Sequence, residues 1–327
     1  MSILKLNYRL NPCILLSVFI ILSGCSSSAA NIQSSPQNTQ HYIYFANNSN
    51  NSYTQCIIAN GTIESSSCLV TTPNGPGALS YPAGIAISNG FAYFANANDD
   101  NGSYTQCSLG NGGIESSSCE TFSLGYVNIP YGLAVGNGFI YFTNSNSSYT
   151  QCIVNSQGVE SSSCQTVSPE GSGSLSLPFG ITVNNNFVYF VNFITNSYTQ
   201  CTADSNGIES STCQTITPSE SGELNNPMGI AISNGFAYFS NTGNNSYTQC
   251  LVDNSGIESS TCQTVPLTVD LGSAFGIAIN SNIIYFSAAD NNNYVQCLIG
   301  SSGIESSTCQ AVNPDNTLSS PQGIAIY

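Results

Sequence analysis

The chain has 327 residues, and its two basic side chains, Lys5 and Arg9, face 17 acidic ones for a net charge of −15. A field of that sign repels phosphates, so nucleic acid is excluded as a partner. Only 6% of residues are charged, which leaves little scope for salt bridges, yet 41% are hydrophobic, enough to build a core.

Residues 1–24 read as a signal peptide. Lys5 and Arg9 give a positive start, and the apolar run ILLSVFIIL at 14–22 is too short for a stable membrane span. It leads into Leu22-Ser23-Gly24-Cys25, which resembles the lipobox of bacterial lipoproteins. The resemblance implies lipidation of Cys25 and a membrane partner reached through the lipid. Ser26, and no Asp, follows Cys25. By the same resemblance the expected location is the bacterial envelope, at the outer membrane. Residues 25–40 form a polar tether with a root-mean-square reach of roughly 20 Å.

From residue 41 to 327 one unit repeats. Tyr53, Tyr104, Tyr149, Tyr198, Tyr247 and Tyr294 mark six copies, spaced by 51, 45, 49, 49 and 47. Each copy holds four segments in fixed order. The first is P-x-G-[IL]-[AT]-[IV], as in PAGIAI at 82–87, with Ala274 replacing the Pro once. An aromatic segment follows, as in FVYFVN at 187–192. The third is SYTQC and the fourth [IV]-E-S-S-[ST]-C. All four read as short strands separated by turn formers. Four strands per unit predict an all-β, six-bladed propeller with four antiparallel strands in each blade. The first two segments are apolar on both faces, as inner strands covered by neighbouring blades must be. The chain enters on the second kind of segment, at 42–47, and ends on the first kind, at 323–327. The last strand is therefore expected to complete the first blade and close the ring.

Twelve cysteines pair at a constant separation of 12. Cys56 pairs with Cys68, Cys107 with Cys119, and Cys152 with Cys164. Cys201 pairs with Cys213, Cys250 with Cys262, and Cys297 with Cys309. The first of each pair ends the third strand, and the second is expected to end the fourth. Six residues after the first Cys lies a Gly, except at Thr62. It marks an odd-length hairpin turn with a positive φ, which sets both cysteines on one face of adjacent strands. Disulfides within each blade fit an exported protein; isolated pairs around a ring do not gather four zinc ligands.

Polar residues repeat too. Glu64, Glu115, Glu160, Glu209, Glu258 and Glu305 read as edge charges on the outermost strand, opposed to strand pairing between molecules. Asp99 and Asp100, in NANDDNG at 96–102, are candidate calcium ligands in an oxygen-rich loop; no other cofactor is expected. His41 is the only histidine.

The P-x-G-I-A-[IV]…[FI]-x-Y-F-x-N pattern resembles NHL-type and YVTN-type propeller repeats. NHL repeats often carry a basic residue on the third strand; Gln-Cys stands there in this chain, which opposes the RNA-binding use of that family. Six-bladed relatives include lactonases and metal-dependent lyases. With one His and no Lys or Arg after Arg9, a histidine-held metal centre is excluded, and general acid–base chemistry is poorly supplied. The reading is an envelope-anchored, monomeric, non-enzymatic binding or scaffold module for a protein or carbohydrate ligand. The loops before each P-x-G, such as 71–81 and 168–177, are its variable surface. The alternative is a calcium-dependent hydrolase or lactonase.

Overall fold

The computed structural model describes residues 40–98, 102–125 and 129–327. Cys25 and the tether up to residue 39, and the pair Asp99 and Asp100, lie outside them. Gln40–Tyr327 forms one unit of six antiparallel sheets.

Blade 4 shows the pattern. Its inner strand Pro178–Asn184 turns at Asn185-Asn186 into the second strand Phe187–Asn192, which pairs in turn with the third strand Ser197–Asp204. Inner strands therefore begin at one mouth of the ring, and the turns into the second strands lie at the other.

The fourth segment departs from the expected continuous strand. It is split into Gly207–Ile208, a single 3-10 turn at Ser210–Thr212, and Gln214–Ile216. Both pieces pair with the same third strand. Ala203 faces Ile208, a register that would carry Cys201 opposite Ser210. The turn inserts three residues, and the ladder resumes with Gln200 facing Gln214. That slip brings Cys213 opposite Cys201.

All six disulfides form as the spacing predicts. Cys56 is bonded to Cys68, Cys107 to Cys119, Cys152 to Cys164, Cys201 to Cys213 and Cys250 to Cys262, each with Cα atoms 4.1 Å apart. Cys297 is bonded to Cys309 at 4.2 Å. The place of the second cysteine differs from the expectation. Cys68, Cys119, Cys164, Cys213, Cys262 and Cys309 do not end a fourth strand. Each closes the 3-10 turn in extended backbone, one residue before the last strand begins. The reason is the slip: an uninterrupted strand would carry these residues three places past their partners.

A hydroxyl repairs the ladder at the slip. Thr212 Oγ1 donates to Glu209 O at 2.7 Å and accepts from Thr202 N at 2.9 Å. Ser67, Ser118, Ser163, Thr261 and Thr308 do the same in the other blades.

The core lies between blades, in six clusters that each draw on two neighbours. The Tyr of each SYTQC is buried and faces the next blade; Tyr149 meets Phe190 at 5.3 Å and Tyr198 meets Phe239 at 5.5 Å between ring centroids. Aromatic pairs of this kind add about 0.5–1.5 kcal/mol beyond their buried area.

The ring closes as the half-units at the two ends predict. Pro321–Ile326 pairs with His41–Asn47, with Ile43 facing Ile326 and Phe45 facing Ile324. Tyr42 and Tyr327 exchange backbone hydrogen bonds of 2.9 and 2.8 Å. Blade 1 is thus built from both ends of the ring.

A candidate ligand site at the tunnel mouth

Each inner strand is bonded along one edge only, to the second strand of its own blade, so six free edges line the central tunnel. The glycine of each P-x-G lets these edges crowd together. A Cβ on Gly132 would collide with Phe179 O of the next blade, and one on Gly180 would collide with Met228 O. The residue between Pro and Gly is then held at the mouth. These six are Ala83, Tyr131, Phe179, Met228, Phe275 and Gln322.

Their side chains fill the entrance. Tyr131 and Phe179 lie 4.3 Å apart between ring centroids, and Phe179 meets Phe275, two blades away, edge-on at 5.8 Å. Phe193, from the loop after the second strand of blade 4, adds an edge contact to Phe179 at 5.3 Å. Its neighbour Ile194 is 65% exposed. Burial among these rings pushes the Tyr131 hydroxyl above its ordinary pKa. Below the rings lies a cavity of about 100 Å³, and further along the tunnel one of about 350 Å³ lined by Ile, Leu, Val and Ala with Thr182 and Ser233. Among the described residues, Tyr131 is the one titratable side chain in either lining.

A buried amide holds the loops at this mouth. Asn192 Nδ2 donates to Ser197 Oγ at 3.2 Å and Thr199 Oγ1 at 2.8 Å, while its Oδ1 accepts from Ser176 N at 3.0 Å. The incoming loop and the loop after the second strand are thereby tied together. Blade 6 breaks this pattern with Ala288, Asn293 and Val295. Its incoming loop is pinned instead by Asn245, which donates to Leu267 O and Val269 O and accepts from Leu271 N. Beside that loop, Ser273 Oγ donates to Asp290 Oδ2 at 2.6 Å. The Gly272 N–H and the Asn291 side chain hold Asp270 below the usual carboxylate range.

The other expected site residues are scattered. The six Glu residues enter the 3-10 turns and are exposed, one per blade, on the outer rim. They cap turns and do not sit within a strand, because the three-residue slip begins there. Among the described residues no three His, Cys, Asp or Glu side chains gather. His41 is exposed and opens its strand at the mouth opposite the aromatic rings. The loops 71–81 and 168–177 lead into Pro82 and Pro178 at the aromatic mouth, on the side where the sequence places a variable surface.

The mouth itself is missed by a reading of the repeat, in which the inner strands look free of singular members. Its signal lies in the one variable position between the Pro and Gly, large and apolar in four of six copies.

No protein-family model matches the chain, and neither does any curated protein. Solved structures do. One is a chain of a nidogen/laminin complex, at 12% identity and TM-score 0.63, covering 88% of this chain and 98% of that one. A putative 6-phosphogluconolactonase from Bacteroides fragilis aligns at 12% identity and TM-score 0.59, over 90% and 99%. A periplasmic gluconolactonase from Pseudomonas aeruginosa aligns at 12% and 0.59, over 88% and 99%. The chain shares their fold. At these identities the likeness extends no further than the propeller fold.

Proposed function

We propose that this propeller is a non-enzymatic binding module, held at the bacterial envelope by a lipid on Cys25, with the aromatic mouth as its ligand-facing surface. The observation that carries the reading is the set of large apolar side chains at four of the six P-x-G positions, Tyr131, Phe179, Met228 and Phe275, gathered at one entrance whose described lining has only a tyrosine hydroxyl to titrate. Such a surface offers contact area and ring faces to a partner. Among the described residues, neither cavity lining offers a carboxylate or imidazole for proton transfer. His41 opens its strand on the opposite side of the ring, away from the aromatic mouth. The partner is an uncharged or basic protein or carbohydrate, since the chain after Arg9 is acidic throughout.

Full-length protein should be screened against glycan and envelope-protein arrays, with and without chelator. Phe179→Ser should lose binding and keep its melting curve. The same preparation should be assayed for gluconolactone hydrolysis with added calcium. Calcium-dependent turnover would replace this reading with the hydrolase alternative. For the anchor, Cys25→Ser should move the protein out of the membrane fraction; retention after a salt wash would refute lipidation.

A further inference from the structure

Five of the six junctions between blades carry a polar clip of one design, with both bonds made at four of them and the accepted bond alone at Gln151. The Gln of each SYTQC reaches across to the outer hairpin of the next blade. Gln200 Nε2 donates to Ser255 O at 3.0 Å, and Gln200 Oε1 accepts from Ile257 N at 3.2 Å. Gln249 makes the same pair with Ser302 O and Ile304 N. Gln55 reaches Gly112 O and Ile114 N, Gln106 reaches Gln157 O and Val159 N, and Gln151 accepts from Ile208 N. The amide lies flat on the hairpin because a Gly stands beneath it. A Cβ on Gly256 would collide with Gln200 Oε1, and one on Gly303 would collide with Gln249 Oε1.

The sixth junction, from blade 6 to blade 1, is built differently. Thr62 stands where the others have Gly. The hairpin before it turns on Asn60 and Gly61, both at positive φ, instead of on a positive-φ Gly one residue later. The Gly61 carbonyl, which corresponds to the clipped one elsewhere, is taken by the Tyr285 hydroxyl at 2.9 Å. Gln296 Oε1 is buried without a hydrogen-bond partner. A cavity of about 360 Å³ lies there, lined by Thr62, Ile283, Gln296 and Leu298 among others.

This junction is also where the two ends of the propeller meet. The C-terminal strand is held to blade 6 on the tunnel side, where Ser287 Oγ donates to Gln322 O. The N-terminal strands are held to blade 2 by Gln55 and by Asn51, whose Oδ1 accepts from Tyr81 N at 2.8 Å. Between these two halves run the ladder of His41–Asn47 with Pro321–Ile326, the Tyr285 hydroxyl bond to Gly61 O, the bonds from Ser319 N to Asn47 Oδ1 and from Thr54 Oγ1 to Thr317 O, and the apolar contact of Tyr294 with Phe45, 5.5 Å between centroids.

We infer that the ring has one built-in opening line, between the N-terminal strands and the last blade with its C-terminal strand, because the clip used at the other five junctions is missing there. Opening frees the inner edge of His41–Asn47, whose complement is the C-terminal strand. A second copy of this chain, opened in the same way, carries that complement, so the partner of the open state is a swapped copy.

Hydrogen exchange on the full-length protein tests this. The amides of His41–Asn47 should exchange about tenfold faster than those of Phe187–Asn192, the factor one net hydrogen bond supplies. A graft of the blade 4 turn, Asn60→Ser, Gly61→Asn and Thr62→Gly, should slow them to the level of blade 4 and suppress dimer formed on warming. Equal rates for the two strands in the unaltered protein would overturn the inference. Should the graft fail to fold, point variants decide. Gln296→Ala should leave exchange unchanged, whereas Gln200→Ala should speed exchange of the Ile257 amide. Equal acceleration by both would show the sixth junction to be clipped like the rest.

Discussion

Thr212 shows how much one hydroxyl does in this fold. The three-residue slip strands the Thr202 amide and the Glu209 carbonyl, and Oγ1 serves both. Thr212→Val keeps the shape and removes both bonds, so it should cost about 1–3 kcal/mol in urea unfolding. No measurable loss would mean that water replaces the hydroxyl without penalty. The blade tyrosines make a second case. Burial raises the hydroxyls of Tyr149, Tyr238 and Tyr285 to about 12, and the Tyr247 ring adds to the effect at Tyr238. A raised pKa means that the fold favours the neutral phenol. Its contribution is complete below pH about 10, the unfolded value, and is lost as the pH climbs through the folded one. Stability should therefore fall between pH about 10 and about 12, and the phenolate absorbance of the buried blade tyrosines should appear together with loss of the β signal. Complete phenolate absorbance with the fold intact would contradict the burial of these rings.

At the scale of the element, the outer hairpin is where sequence and structure diverge most usefully. The strands, the hairpin Gly at positive φ and the cysteine pairing were legible, because alternation, turn chemistry and a fixed separation of 12 each leave a local trace. The 3-10 turn was not. Ile-Glu-Ser-Ser-Ser reads as a polar outer strand, and a register slip leaves the cysteine spacing unchanged. Hence the partner of each third-strand cysteine was legible while its place, at the close of a turn, was not. The clip was half visible, as a constant Gln and a Gly with one exception at Thr62, but which residues face each other across blades is a property of the ring. The mouth was hidden for the same reason: six positions about 50 residues apart become one surface only on closure. Each outer hairpin contributes few buried residues, so its disulfide should matter. Cys201→Ser with Cys213→Ser should cost at most about 3 kcal/mol, and less to the extent that the ladder already restrains the loop. Peptide mapping without reductant should recover each Cys with the partner 12 residues away; cross-blade pairs would refute the register described for the outer strand.

The whole ring answers to its ends and to its charge. Removing residues 322–327 takes out buried Ile324 and Ala325 and uncovers His41–Asn47. The loss should be at least about 3 kcal/mol, far more than fraying of a free terminus; an unchanged melting curve would sink the closed ring. Acid should do much less. As carboxylates neutralise below pH about 4, a chain with no Lys or Arg after Arg9 approaches zero charge and never acquires the positive self-repulsion that expands most proteins. Asp253, held below the usual range by its bonds to Ser255, and Asp270 titrate last, and what they contribute is lost only as the pH falls through those lowered values. Circular dichroism should stay native at pH about 2 while solubility passes through a minimum; unfolding there would expose a dependence on carboxylates that the rim does not suggest. The placement of His41 has a mechanical meaning as well. A pull on the chain ahead of it, resisted by a partner gripping the aromatic mouth, runs along the axis of His41–Asn47. Antiparallel hydrogen bonds lie across that axis. Both ladders of the strand, to Ser52–Ala59 and to Pro321–Ile326, then bear the tension together in shear, and the joint that thermal motion opens most readily is set in its strongest orientation against traction.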